Sequence, residues 1–286
     1  MDNIIPFLKS SVTIMIPVFF AASGGLFPAL AGTLNIALEG LLLIGAFSSL
    51  SVFYFTGSAA AAVVSAVIAA VLLSSLHAFT VFKLRANIFI SAIAVNLLSS
   101  GLCVVLSDKI FKTKGVVTAS SHANILLPFI LTGIFMLIIS RLAIYKTPFG
   151  YKLRACDINK DALVSLEINP RFYQVTAILI CGVFCGIGGS FLSLSLGAYV
   201  PEMSAGKGWI ALAVIFLGAR KPFGILAASF LFALTESFSN YAQGLFAVPS
   251  GFILAFPYIC TLAAMILVSV IPKYISPGCG SRAKKI

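Results

Sequence analysis

With 286 residues, 60% of them hydrophobic and only 9% charged, and a mean hydropathy of +1.10, this chain carries more apolar surface than a soluble core of its length would bury. Its net charge of +11 sits in turns and in the C-terminal tail, so membrane topology accounts for it and a nucleic-acid partner does not. Six cysteines are scattered along the chain; Cys181 and Cys185 share a helix face, but no His or acid joins them, so no metal site is expected.

About nine apolar segments follow in chain order, at roughly 10–31, 36–55, 59–82, 88–106, 123–145, 173–197, 208–219, 222–243 and 251–272. They predict an all-α membrane protein, a polytopic helical bundle of eight to ten spans forming a single domain over residues 1–286. The seventh segment is too short for a bilayer of ~30 Å and reads either as a half-helix or as a span lengthened by the preceding loop. The first apolar run continues into the body of the chain, so no cleavable signal peptide is expected. Gly182, Gly186 and Gly189, with Ser190 and Ser193, give the sixth segment a small-residue face for close helix contact, and the small residues at 59–70 do the same for the third.

Between the fifth and sixth segments lies a polar island, residues 146–171, with Lys146, Lys152, Arg154, Lys160 and Arg171 against Asp157, Asp161 and Glu167. Its middle reads as a short helix capped by Asp157 or Asn159, with Ala162, Leu163, Leu166 and Ile168 as its apolar stripe and Pro170 as its stop. An ordinary solvated loop is the plainer alternative. Basic residues recur at alternate turns: Lys83 and Arg85, the island, Arg220 and Lys221, and the tail Lys273, Arg282, Lys284 and Lys285. Placing all four in the cytoplasm puts the C-terminus inside and the N-terminus outside. The turn at 107–122, with Lys109, Lys112 and Lys114, then falls outside against the rule, and Lys9 is a weaker second exception. The tail is a basic anchor that also suits anionic membrane lipid.

Three candidate polar residues fall inside apolar segments and a fourth, Asn35, borders one. Asn35 and Glu39, four apart, would share one helix face; Asn96 stands in the fourth segment and Glu236 in the eighth. Such groups either line a wet translocation pathway or brace neighbouring helices. His77 and His122 have no evident metal or nucleophile partner.

Three stretches resemble the permease subunits of ATP-binding-cassette importers of the ribose, nucleoside and branched-chain amino-acid group. In Gly24–Phe47, Asn35, Ile36, Glu39, Gly40, Gly45 and Ala46 match the first signature, with Ala37 in place of a glycine. In the island, Gly150, Arg154, Ala155, Asn159, Ala162, Ile168 and Asn169 match the cytoplasmic segment that contacts the ATPase, while Asp157, Ile158, Lys160, Leu163 and Glu167 depart from it. From Pro201 to Gly224, the matches are Met203, Gly206, Gly208, Ile210, Ala211, Leu212, Ala213, Pro222 and Gly224.

The resemblance implies a non-enzymatic, multi-pass subunit of a bacterial cytoplasmic membrane. Gly150, Arg154, Ala155, Asn159 and Ala162 would couple it to an ATPase subunit with two fused nucleotide-binding domains. The other implied partners are a second, homologous permease and an extracytoplasmic substrate-binding lipoprotein. No cofactor is expected on this chain, which has no GxxxxGK[ST] loop, so ATP is used by the partner. The implied cargo is a nucleoside, purine nucleosides and riboflavin among the candidates; a monosaccharide or branched-chain amino acid is the alternative. An ion-coupled secondary transporter is the rival in another class.

Overall fold

The computed structural model describes residues 4–119, 125–243 and 263. Among these residues the elements run α1 Ile4–Leu30, α2 Leu38–Thr56, α3 Ala59–Phe82, α4 Ile88–Phe111, β1 Val117–Thr118, α5 Leu126–Lys146, α6 Pro148–Ile158, α7 Lys160–Ser165, α8 Pro170–Leu196, β2 Ala198–Tyr199, α9 Lys207–Leu217 and α10 Pro222–Gln243. Seven helices (α1 to α5, α8 and α10) are long and apolar enough to cross a bilayer. The expected segment at 251–272 lies outside the described residues. At 11 residues, α9 is ~16 Å long, the half-helix of the two forms open to its sequence.

The helices form two layers. Hydropathy windows in α1, α2 and α8 are 78%, 72% and 72% buried, against 28% in each of α3, α4 and α5, so the first three are the core and the others face outward. Outward side chains such as Ile93, Leu97, Leu131 and Phe135 are exposed apolar groups, which a bilayer accommodates and water does not. The small-residue face of α8 makes the core compact. A Cβ on Gly186 would meet Val67 Cα at 2.7 Å, and one on Gly189 would meet Ala46 N at 2.9 Å, so α3 and α2 lie directly on the α8 backbone.

The two ends of the bundle differ. At one end, β1 pairs antiparallel with β2, Val117 opposite Tyr199, and joins the turns after α4 and α8. Phe47 packs edge-on against Tyr199 at 5.2 Å, and Phe111 stacks on Phe55 at 6.0 Å, an aromatic cluster suited to a membrane boundary. At the other end, Gln174 of α8 donates to the Ala31 carbonyl just past α1, 3.1 Å. There too His77 Nδ1 bonds Ser91 Oγ at 2.9 Å, bracing α3 against α4, which is a structural use of that histidine.

The polar island differs from the single helix its sequence predicts. Thr147 ends α5, and its hydroxyl accepts from Gly150 N at 3.2 Å to open α6, with Pro148 at the first position. Asn159 ends α6 and caps α7, accepting from Ala162 N at 3.0 Å. The buried face is Leu153, Cys156 and Leu163, whereas Leu166 is 69% exposed and Ala162 also points out. Pro170 stops nothing: Asn169 accepts from Arg171 N at 3.0 Å, and Pro170 starts α8.

Candidate functional site

The centre of the bundle holds a break. After α1 ends at Leu30, residues 31–37 run without helical structure, and α2 begins only at Leu38. Asn35 therefore does not share a helix face with Glu39, as i, i+4 spacing predicts. It lies in the extended stretch, 1% exposed, accepting from Ala37 N at 2.9 Å and contacting Cys181 Sγ at 3.5 Å. Asn96 of α4 bridges the same break: its Oδ1 accepts from Gly40 N at 2.8 Å and its Nδ2 donates to the Ile36 carbonyl at 3.1 Å. Ser99, a turn later, donates to the Gly40 carbonyl at 2.6 Å. A buried backbone break in a membrane needs such partners, because no water replaces them there.

Glu39 closes the break. It stands in the first turn of α2, and its carboxylate reaches the start of α9, accepting from Gly206 N at 2.8 Å and Gly208 N at 2.7 Å. Two helix N-termini, each with the positive end of its dipole and unpaired N–H groups, thus meet one carboxylate. The approach is close: a Cβ on Gly208 would sit 2.5 Å from Glu39 Cα. Ser100 donates to Glu202 in the turn before α9. On α10, the buried Oε2 of Glu236 has no hydrogen-bond partner among the described residues. Among the described residues no three His, Cys, Asp or Glu side chains are grouped to hold a metal ion.

A second polar centre lies at the island end. Asp157 packs on Gly32, where an added Cβ would lie 2.9 Å from Asp157 Oδ1, and accepts from Arg220 Nη1 at 3.1 Å. This carboxylate therefore ties α6 to the end of α1 and to the α9–α10 turn. Arg154 folds back on α6: its guanidinium stands 5.1 Å from the rings of Tyr145 and Tyr151, and Nε reaches the Gly150 carbonyl at 3.4 Å. Gly150 is buried against the last carbonyls of α5. Ala155 is half-buried, and Asn159 and Ala162 are exposed beside Ile158, which is 84% exposed. Burial pushes the Cys156 thiol up, with Lys160 opposing, so it stays protonated at neutral pH.

A family profile described as "Branched-chain amino acid transport system / permease component" matches residues 7–271. The chain belongs to this permease family. Among known relatives of the permease, the Nucleoside ABC transporter permease protein NupC of Lactococcus lactis subsp. cremoris (strain MG1363) is 31% identical, with 91% of this chain and 90% of the relative covered. The Guanosine ABC transporter permease protein NupQ of Bacillus subtilis (strain 168) is 30% identical, with 87% of each covered. The solved structure of PsaBC from Streptococcus pneumoniae in complex with Fab shares the fold, with a TM-score of 0.52 at 14% identity over 92% of this chain and 90% of that one.

Two of the three stretches that carried the resemblance meet in space, since Glu39 belongs to the first and Gly206 and Gly208 to the third. That junction was missed by sequence reasoning. The bracing of α2 by α4 was missed as well, although the 96–99–103 spacing of Asn, Ser and Cys sets one polar line on α4 that faces α2, where Cys103 Sγ reaches the Leu43 carbonyl at 3.9 Å.

Proposed function

We propose that this permease passes a nucleoside inward through a pathway shared with a second, homologous permease. Nucleoside cargo is supported by what the names of the two relatives at 30–31% identity print, over most of both chains. ATP is hydrolysed by a partner ATPase with two fused domains, cargo is delivered by an extracytoplasmic substrate-binding lipoprotein, and the chain itself binds no cofactor. The island end faces the cytoplasm, with the C-terminus inside and the N-terminus outside, and residues 1–286 act as one domain.

The observation that carries the mechanism is the reach of α9. One end of this ~16 Å rod sits beside the Asp157–Arg220 pair, and the other meets the Glu39 carboxylate at the bundle centre. Movement of α6 and α7 is thereby transmitted to the break between α1 and α2. An ion pair whose side chains are 43% and 41% exposed adds little stability, so it can be exchanged between states at small cost. Exposed Tyr151, Ile158, Val164 and Leu166 give the ATPase an apolar seat, while Gly150, Arg154, Ala155, Asn159 and Ala162 set its shape. Of the pathway residues, Asn35, Asn96 and Glu39 hold the break, and Glu236 meets the cargo.

The cargo is tested by ATP-driven uptake of radiolabelled guanosine, riboflavin, ribose and leucine into vesicles holding the whole transporter. Nucleoside uptake is expected to need ATP and to persist with ionophores present; uptake that follows an ion gradient without ATP would refute an ATP-driven importer. Orientation is tested in intact cells with an impermeant thiol reagent. With Cys260 and Cys279 replaced by Ser, a cysteine at Lys152 is expected to be protected and one at Lys112 labelled, against little background from the buried Cys103, Cys156, Cys181 and Cys185.

A further inference from the structure

At the island end, α5 and α10 do not close on each other. Between them lies a cavity of about 360 Å³ lined by Arg141, Lys146, Lys221, Leu142, Tyr145 and Phe223, among others. Two of its three cations, Arg141 and Lys146, come from α5 and the third, Lys221, from the α9–α10 turn, and among the described residues the lining contains no carboxylate. Acids are scarce in the chain as a whole, eight against 19 Lys and Arg, and residues 244–286 contain none. Asp157 is engaged by Arg220 and Glu39 by α9. Arg141 lies five residues, or ~8 Å, inside the end of α5, and its guanidinium is stacked at 4.8 Å on Phe223. A guanidinium at that depth requires an anion or water.

What lies above the cations identifies the anion. Further into the bundle, between α1, α5 and α10, lies a second cavity of about 240 Å³, whose near edge at Leu137 and Leu226 is one helical turn beyond Arg141 and Phe223 and whose far edge at Phe129 is about three turns beyond Arg141. Its lining is entirely apolar, with Phe19, Phe20, Phe129, Leu137 and Leu226 among its walls. A cationic mouth at the membrane boundary that leads along one helix seam into an apolar slot has the polarity of a phospholipid: phosphate at the mouth, acyl chain in the slot. A free phosphate would use only the mouth, and a zwitterionic lipid would bring its own cation to three others.

We infer that the α5–α10 seam is a binding site for an anionic phospholipid, whose phosphodiester is held by Arg141, Lys146 and Lys221 and whose acyl chain fills the slot beside Phe129 and Leu137. The site stands on this chain's own cations and apolar slot; only its assignment to the cytoplasmic leaflet rests on the proposed orientation.

The test uses the full chain in phosphatidylcholine nanodiscs doped with photoactivatable phosphatidylglycerol or, in parallel, photoactivatable phosphatidylcholine. The glycerol lipid is expected to label peptides containing residues 141–146 and 221–224 at least tenfold more than the choline lipid does. Unlabelled phosphatidylglycerol should compete, and 50 mM inorganic phosphate should not. The combined R141Q, K146Q and K221Q variant should fall to the choline level, while Arg141→Lys and Lys83→Gln keep the labelling. Equal labelling by both lipids, displacement by inorganic phosphate, or full labelling of the neutralised variant would each overturn the site. If the neutralised variant fails to fold, the competition on the unaltered chain decides.

Discussion

Gly150→Ala is expected to cost about 3 kcal/mol of stability and to remove most transport, although the substitution adds one methyl group outside the membrane spans. The added Cβ would overlap the Ala143 and Ile144 carbonyl oxygens and lie 2.5 Å from the Ile144 carbonyl carbon. These are backbone atoms at the end of α5, not the yielding tips of side chains. Gly150 N also donates to Thr147, which both ends α5 and opens α6, so the elbow has no slack on its other side. The helix must tilt away, and Asp157 and Arg154 move with it. Thermal unfolding in detergent and co-purification of the ATPase check this together, and both are expected to fall. Arg154→Ala is the milder control: it loses two ring contacts and a bond to Gly150, and should lower ATPase recovery with little loss of stability. A Gly150→Ala permease of unaltered stability and ATPase recovery would show that the elbow opens freely.

The seven described spans, the half-helix and the small-residue face of α8 were legible because each depends on local composition or on helical period. Helix spacing also told correctly that 182, 186 and 189 face one way. The same rule misled at Asn35 and Glu39, because i, i+4 spacing places two residues together only where the chain is helical. The break at 31–37 carries no loud signal: Gly32 and Thr33 are its only obvious interruptions, and its missing backbone bonds are supplied by Asn96 and Ser99, some sixty residues away. Glu39 meets partners 167 and 169 residues further on. Periodicity contains no information at that range. Pro170 was misread because a proline ends one helix and begins another with equal ease, and only the Asn169 cap tells which. Asp157, a departure from the family pattern, is matched by Arg220, 63 residues later, so the deviation has a partner.

Glu39→Gln is expected to destabilise the permease by about 2–3 kcal/mol, because both carboxylate oxygens accept from backbone N–H groups and bonds to a charged acceptor are the costly ones to lose. An amide keeps the size of the group but has one accepting oxygen. Its NH2 would face the N–H of Gly206 or Gly208, donor against donor. Removing the charge also leaves the N-termini of α2 and α9 pointing at each other without their anion. Glu39→Asp, one methylene shorter, is expected to hold one glycine and not both. Gly208→Ala should be worse than either, since its Cβ would overlap the Glu39 backbone as well as lie 2.8 Å from Oε2. A brace and a cargo contact predict different readouts. Loss of the brace lowers thermal stability and reduces uptake of every cargo in proportion to the folded, assembled transporter that remains. Loss of a cargo contact shifts the preference among nucleosides while stability and assembly stay normal. Unfolding midpoints and competitive uptake of guanosine against other nucleosides, measured on the same preparation, separate the two. A stable Glu39→Gln transporter with altered preference would move Glu39 from the scaffold into the pathway.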